Sequence, residues 1–276
     1  MSAFHLGTQN WSYRAWVGPF YPPDTPKADM LQWYGRMFST LEVDATFFAI
    51  PAEPIIGGWL AKVPSDFVFS LKVPQEITHG RRLVGCQATL DKFVDRVRQL
   101  GNSLGPMLVQ LPPDFVPTPE TRLALRNFVA RLPRNHRWAV EFRHPGWLDQ
   151  QTLTTLRDHN VALTLVDGRW VRRSRMLEAA AEPTADFSYV RWMGSDVRFT
   201  NFSHPQRDCE SELAIWADTL KLLAESAETV YGYFNNQYQG HSPHSVRAMQ
   251  RLLGQAFVEP MAIRTQTQFF SFRNAT

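Results

Sequence analysis

The sequence predicts an α/β fold, a closed eight-stranded parallel βα barrel of the TIM type. Three observations predict it. Short β-like runs alternate with amphipathic stretches along the whole chain, the runs number eight, and 276 residues suit one barrel. An open doubly wound sheet fits less well, because Gly7-Thr8-Gln9-Asn10 after the first run is not a GxGxxG dinucleotide fingerprint.

The predicted strands are Phe4–Gln9, Thr40–Phe48, Phe67–Lys72, Met107–Leu111, Arg137–Arg143, Val161–Val166, Phe187–Met193 and Thr229–Phe234. Most are rich in β-branched and aromatic residues and stop at Pro, Gly, Asn or Asp. Met30, Trp33, Tyr34, Met37 and Phe38 form the stripe of a helix buried on one face. Ile55, Ile56, Trp59, Leu60 and Val63 repeat it after Pro54, a residue suited to a first helical turn. Leu90, Phe93, Val94 and Val97 give a third stripe. Thr118-Pro119-Glu120 reads as a cap and first turn for a helix carrying Leu125, Phe128, Val129 and Leu132. Leu213, Trp216, Ala217 and Leu220 mark another, and Ser242-Pro243 opens the last, with Val246, Met249 and Leu253 inward. The sixth unit is irregular: Gly168 to Pro183 holds Arg172, Arg173 and Arg175 and no clean stripe.

The barrel domain is expected to span 1–254. A tail over 255–276 carries Phe257, Phe269, Phe270 and Phe272, aromatics expected to pack on the barrel or on a partner subunit. The 44% hydrophobic and 20% charged content is ordinary for a chain with a large core. The 29 Lys and Arg against 26 Asp and Glu leave a formal charge of +3, too small to imply a nucleic-acid partner alone. Cys86 and Cys209 are far apart, outside any CxxC or Cys/His spacing, which argues against a disulfide framework and a structural zinc. The start MSAFHLGTQNW has no basic stretch followed by an apolar core, and no window is long and apolar enough to span a bilayer. A soluble cytoplasmic protein is expected, with no membrane contact and no cofactor.

Alternation along the strands predicts the site. Inner positions of a barrel strand alternate with outer ones, and a charge facing inward at a strand's C-terminal end costs stability. On the second strand Leu41, Val43, Ala45 and Phe47 share one face, which sends Glu42 and Asp44 inward. The same parity places Lys72 inside on the third strand, Gln110 on the fourth, and Glu141 and Arg143 on the fifth, with His144 just beyond. Asp167 ends the sixth, Arg191 lies late in the seventh, and Tyr233 and Asn235 share the inward parity of the eighth. Each residue taken singly is equally a buried ion-pair member. Their concentration at one end argues for a site.

The loops add candidates. Trp11, Tyr13, Trp16, Phe20 and Tyr21 crowd the loop after the first strand, either as a stacking wall for a ligand or as a self-packed plug. His79 and His144 follow the third and fifth strands, as general acid or base or as capping residues. Arg191, Gly194, Ser195, Asn235, Asn236 and Gly240 stand near the helix opening at Ser242, an arrangement suited to an anion.

Several blocks resemble a known family: GTQNWSYRAWVGPFYPP (7–23), TLEVDATFFAIP (40–51), FVFSLKVPQEITH (67–79), LVQLPPDF (108–115), AVEFRHPGW (139–147) and VYGYFNNQYQGH (230–241). They are similar to the YecE-like family, domain-of-unknown-function family 72. The resemblance runs from Leu6 to about Leu253 and is most specific in EFRHPGW and YFNN. It implies a TIM-type barrel of uncharacterised function and brings no established catalytic residues. Gln9-Asn10 departs from a Ser-Gly pair common in the family, and the tail is longer than the family's.

The reading that follows is an enzyme, of hydrolase, lyase or isomerase type, acting on a small polar or anionic substrate such as a sugar or phosphorylated metabolite. Glu141 and Glu42 would be the acid/base carboxylates, supported by His79 and Asp167. Lys72 and Arg143 would hold negative charge, or Lys72 would form a Schiff base. Gln110, Arg191, Tyr233, Asn235, Asn236, Trp11, Asp44 and His144 would contact substrate. The common retaining-glycosidase arrangement is disfavoured by Gln110 and Arg191 on the fourth and seventh strands. No resident metal is expected, the alternative being one divalent ion at Glu42, Asp44, Glu141 and Asp167. Two other classes stand beside the enzyme: nucleic-acid binding through the arginine group and aromatic loop, and a barrel that binds without chemistry.

Overall fold

Eight parallel strands pair in sequence order and close on themselves: β1 (Ala3–Gln9), β2 (Thr40–Val43), β3 (Val68–Lys72), β4 (Leu104–Gln110), β5 (Trp138–Glu141), β6 (Val161–Gly168), β7 (Phe187–Gly194) and β8 (Thr229–Phe234). This computed structural model describes residues 3–258. The crossovers carry α1 (Met30–Gly35), α2 (Ala45–Phe48), α3 (Glu53–Leu60), α4 (Gln87–Val97), α5 (Pro119–Val129), α6 (Gln150–Arg157), α7 (Arg173–Ala180) and α8 (Glu210–Ser226). After β8 come α9 (Asn236–Gln239) and α10 (Ser242–Leu252).

Most positions of the predicted stripes bury, the exception being Ile55, which is exposed while its neighbours Ile56 and Trp59 are core. Leu90, Phe93 and Val97 of α4 and Leu213, Trp216 and Leu220 of α8 pack on the outside of the barrel. α5 starts in a capping box, with Thr118 and Thr121 exchanging side-chain and backbone bonds. The irregular sixth unit holds a helix, α7, which buries only Met176 and Ala180. β2 is shorter than predicted, because the chain turns into α2 after Asp44. The tail's first residues fold back: Gln255 Nε2 donates to the Phe4 carbonyl at 3.1 Å, and the Arg247 and Arg251 guanidinium groups flank Phe257. Phe269, Phe270 and Phe272 lie outside the described residues. Among those residues no helix is long and apolar enough to cross a membrane.

Strand pairing fixes what faces inward. Glu42 sits beside Gln9 and Ser70, Lys72 beside Leu108, and Gln110 beside Glu141. Val166 and Tyr233 flank Arg191. A lower interior layer of Leu108, Ala139, Ala162, Phe187, Tyr189, Tyr231 and Tyr233 fills the barrel. The polar residues lie above it, at the C-terminal end.

Candidate active site

Arg191 is the centre of the mouth's floor. Its Nη2 donates to Glu42 Oε1 at 2.7 Å, its Nε to the same oxygen at 3.2 Å, and its Nη1 to Glu141 Oε2. Tyr189 Oη donates to the other oxygen of Glu42 at 2.6 Å, and Arg143 Nε donates to the other oxygen of Glu141 at 2.8 Å. Glu42, Glu141 and Arg191 are at most 1% exposed. The Gln9 amide is wedged beside them. Turned one way its oxygen accepts from Asn235 Nδ2 at 2.7 Å; turned the other way it accepts from Arg191 Nη2 at 3.1 Å.

The two carboxylates are driven in opposite directions. Burial raises the Glu42 carboxyl above its ordinary value, outweighing the pull of Arg191. Burial also works against Glu141, but Arg191 and Arg143 together bring it down to about 2. Separated acidities of this kind suit an acid/base pair. The packing does not: every carboxylate oxygen already accepts from protein and neither group reaches the open mouth. As placed, neither carboxylate is open to a ligand.

What faces the opening is a second tier. Asp44 is 24% exposed at the side chain, and its Oδ1 has no hydrogen bond, the nearest cation being Arg191 Nη2 at 3.8 Å. Arg143, 21% exposed, commits only Nε to Glu141; its outer nitrogens bond nothing among the described residues. Lys72 is half-buried, with its Nζ 4.0 Å from the Phe47 ring centre and no carboxylate partner among the described residues. Burial lowers its proton affinity, with Asp44 pulling the other way. His79 packs edge-on to the same Phe47, and burial with the Lys72 and Arg143 charges lowers its proton affinity as well. Its Nδ1 pairs with Thr78 Oγ1 at 2.8 Å, so only Nε2 is left for a ligand.

Several predicted site residues do other work. Asp167 points outward, not into the mouth. Its Oδ2 accepts from Trp216 Nε1 at 2.8 Å, Arg173 Nε at 2.9 Å and Tyr238 Oη at 3.4 Å. A four-carboxylate metal site is thereby dismantled, since Asp167 faces away and Arg191 stands between Glu42 and Glu141. No three His, Cys, Asp or Glu side chains cluster as a metal site among the described residues. Tyr233 lies one layer too deep, its hydroxyl held by Ser70 at 2.7 Å and Thr40 at 2.8 Å. His144 caps a turn, accepting from the Gly146 N–H at 3.2 Å. Gln110 is inward and 2% exposed, but donates to the Leu111 carbonyl at 2.8 Å.

The predicted anion site in the last loops does not form. Arg191 is neutralised by its glutamates, and Asn236 Oδ1 already accepts from the Ser242 N–H and hydroxyl, both at 2.9 Å. Gly194 and Gly240 adopt positive φ for close packing: a Cβ on Gly194 would stand 2.1 Å from the Gln237 carbonyl, and one on Gly240 2.6 Å from Gln206 Nε2. Two of the three clustered arginines are also paired, Arg173 with Asp167 and Glu212, and Arg175 with Glu178. The aromatic loop splits. Trp16, Phe20 and Tyr21 are core, whereas Trp11 and Tyr13 line a cleft of about 850 Å³ with Phe48, Ile55 and Trp59, Asp44 and Asn10. Sequence parity had the means to find Tyr189 and Gln9, because both share the inward face with Arg191 and Glu42.

The fold and these side chains define a βα-barrel protein with a charged C-terminal mouth, the end where barrel enzymes hold their active sites. The chain belongs to the family described as "Protein of unknown function DUF72", whose profile matches residues 5–268. It is similar to UPF0759 protein YecE of Escherichia coli K12, with 28% identity over 211 residues covering 70% of this chain and 74% of that one. UPF0759 protein YunF of Bacillus subtilis is 25% identical over 272 residues, 90% of this chain and 94% of that one. A crystal structure of a DUF72 protein from Thermotoga maritima superposes with a TM-score of 0.77 at 23% identity, covering 92% of this chain and all 100% of that one. One from Enterococcus faecalis gives 0.71 at 20% identity, covering 92% and 97%. These two show the shared fold.

Proposed function

We propose that this barrel is an enzyme acting on a small anionic substrate, a phosphorylated or carboxylated metabolite of sugar size, at its C-terminal mouth. One observation carries the reading. Above a floor whose charges are mutually bonded, two cations keep donors that no protein acceptor takes: the outer nitrogens of Arg143 and the Lys72 ammonium. Both cations stand at the C-terminal end of the barrel, and an anionic ligand there would take those donors. Asp44 is the carboxylate placed to move a proton, because it is open on one side and bound to neither arginine within hydrogen-bond range. The Glu42–Arg191–Glu141 floor holds Arg143 and the strand ends in register. The cleft beside Trp11 and Phe48 would take the uncharged remainder of the substrate.

Thermal-shift measurements with inorganic phosphate, sugar phosphates and the parent sugars test this. The phosphorylated compounds should stabilise the protein by several degrees, and the parent sugars should not. Stabilisation should vanish when Lys72→Met and Arg143→Ala are combined. Equal responses to charged and neutral compounds, or an unchanged response in the double variant, would overturn the proposal.

A further inference from the structure

The choice of lysine at position 72 is informative. The chain has only five lysines, Lys27, Lys62, Lys72, Lys92 and Lys221, among its 29 basic residues. Arginine therefore supplies nearly every positive charge. Lys27, Lys92 and Lys221 are exposed, and Lys62 is half-exposed with its ammonium on the Ala28 carbonyl at 2.8 Å. Lys72 alone stands on the inner face of a strand, at its C-terminal end, within the field of Asp44 and with His79 facing both it and Arg143. A guanidinium would hold an anion at least as well as an ammonium, and with better geometry. What only the amine does is lose a proton and attack.

We infer that Lys72 forms an imine with an aldehyde or ketone substrate whose anionic group is held by Arg143. This rests on the proposed anion-binding mouth. The Lys72 backbone is pinned, its carbonyl accepting from Thr46 Oγ1 at 2.7 Å, and its amine lies against Phe47 instead of a carboxylate. An ammonium half-withdrawn from water, with no salt bridge to hold its proton, is the state from which a lysine nucleophile is made, the desolvation outweighing the attraction of the Phe47 ring for the cation. Burial accordingly lowers its proton affinity.

The step balances without a further reagent. Asp44 takes one proton from the Lys72 ammonium, and the freed nitrogen pair forms a bond to the carbonyl carbon as the carbonyl π pair moves to oxygen. That oxygen takes up a proton from the nitrogen and becomes a hydroxyl. The nitrogen then expels the hydroxyl as water, with the proton returned by Asp44, leaving a protonated C=N bond. Ammonium and carbonyl thus become iminium and water.

Reductive trapping tests the inference on the full-length protein. Dihydroxyacetone phosphate, pyruvate and uncharged dihydroxyacetone are each incubated with the protein and cyanoborohydride, and adducts are mapped by mass spectrometry of tryptic peptides. One adduct per chain is expected with dihydroxyacetone phosphate or pyruvate. It should block cleavage after Lys72, with labelling there ~10-fold or more above the four outer lysines. Lys72→Arg should abolish it, and Arg143→Ala should reduce it for the charged compounds. Labelling no higher at Lys72 than at the outer lysines, or no adduct with either charged compound, overturns the imine. If those compounds still stabilise the wild type and not the double variant, the anion-binding mouth survives that failure. Selective labelling at Lys72 that is as strong with dihydroxyacetone as with its phosphate supports the imine and removes the anion-binding role of Arg143.

Discussion

Two buried carboxylate–guanidinium clusters lie at the same end of this barrel, one inside the wall and one outside. Outside, Asp167 receives Arg173, Trp216 and Tyr238, and Arg173 reaches on to Glu212. That cluster ties β6 to α7, α8 and α9. Inside, both oxygens of Glu42 and both of Glu141 accept hydrogen bonds, and the network continues to Arg143, with Asp44 and Lys72 beside it. Burial of charge is common to both. The difference is the company each keeps: beside the inner cluster stand a carboxylate and an ammonium, Asp44 and Lys72, without a hydrogen-bonded ion partner among the described residues, and the proposed function rests on them.

The largest effect expected from breaking either cluster is at Arg191. Arg191→Met strands two fully buried carboxylates and should lower unfolding stability by about 3–5 kcal/mol in urea titrations. Asp167→Asn keeps an acceptor for Trp216 and leaves Arg173 half-exposed near Glu212, so about 1–3 kcal/mol is expected. A smaller loss at Arg191 than at Asp167 would break the comparison.

Acidity sharpens it next. Glu141 has its folded-state value depressed from 4.5 to about 2, so its contribution is fully present above the unfolded value and disappears as pH falls through the folded one. The stability gap between wild type and Glu141→Gln should be on the order of 3 kcal/mol above pH ~4.5 and close toward pH ~2. Glu42 has the opposite sign, raised by burial, so its contribution is present below the unfolded value and lost as pH rises through the folded one. At neutral pH Glu42→Gln should therefore cost less than Glu141→Gln in the same titration. Equal costs would contradict the opposed directions.

The smallest stability effect belongs to Lys72. Lys72→Met should change unfolding stability by no more than about 1 kcal/mol, the usual range for a partly exposed charge without an ion pair, whereas Arg143→Ala, which removes the donor to one oxygen of buried Glu141, should cost about 1–3 kcal/mol. Their effect is expected on ligands.

How much of this was legible in the sequence differs by strand. In TLEV and AVEFR apolar residues alternate with charged ones, so the inward parity of Glu42, Glu141 and Arg143 could be read directly. β6 reads VALTLVDG, apolar on both faces, and offers no alternation to tell which way Asp167 turns. The segment after Asp44 misleads differently: Ala45-Thr46-Phe47-Phe48 continues a strand pattern, yet it coils into α2 with Thr46 Oγ1 donating to the Val43 and Lys72 carbonyls. Saturation was beyond sequence altogether. That Arg191 is consumed by Glu42 and Glu141 depends on three strands far apart in the chain, and it converts an expected anion-binding residue into part of the floor.

Calorimetric titration with a phosphate ester such as dihydroxyacetone phosphate tests the unsatisfied inner tier most directly. Wild type and Asp167→Asn should both bind one molecule per chain, with affinity that weakens as salt rises, and the combined Lys72→Met, Arg143→Ala variant should give no binding heat. Binding that persists unchanged in that variant, or that is lost in Asp167→Asn while the protein stays folded, would contradict it.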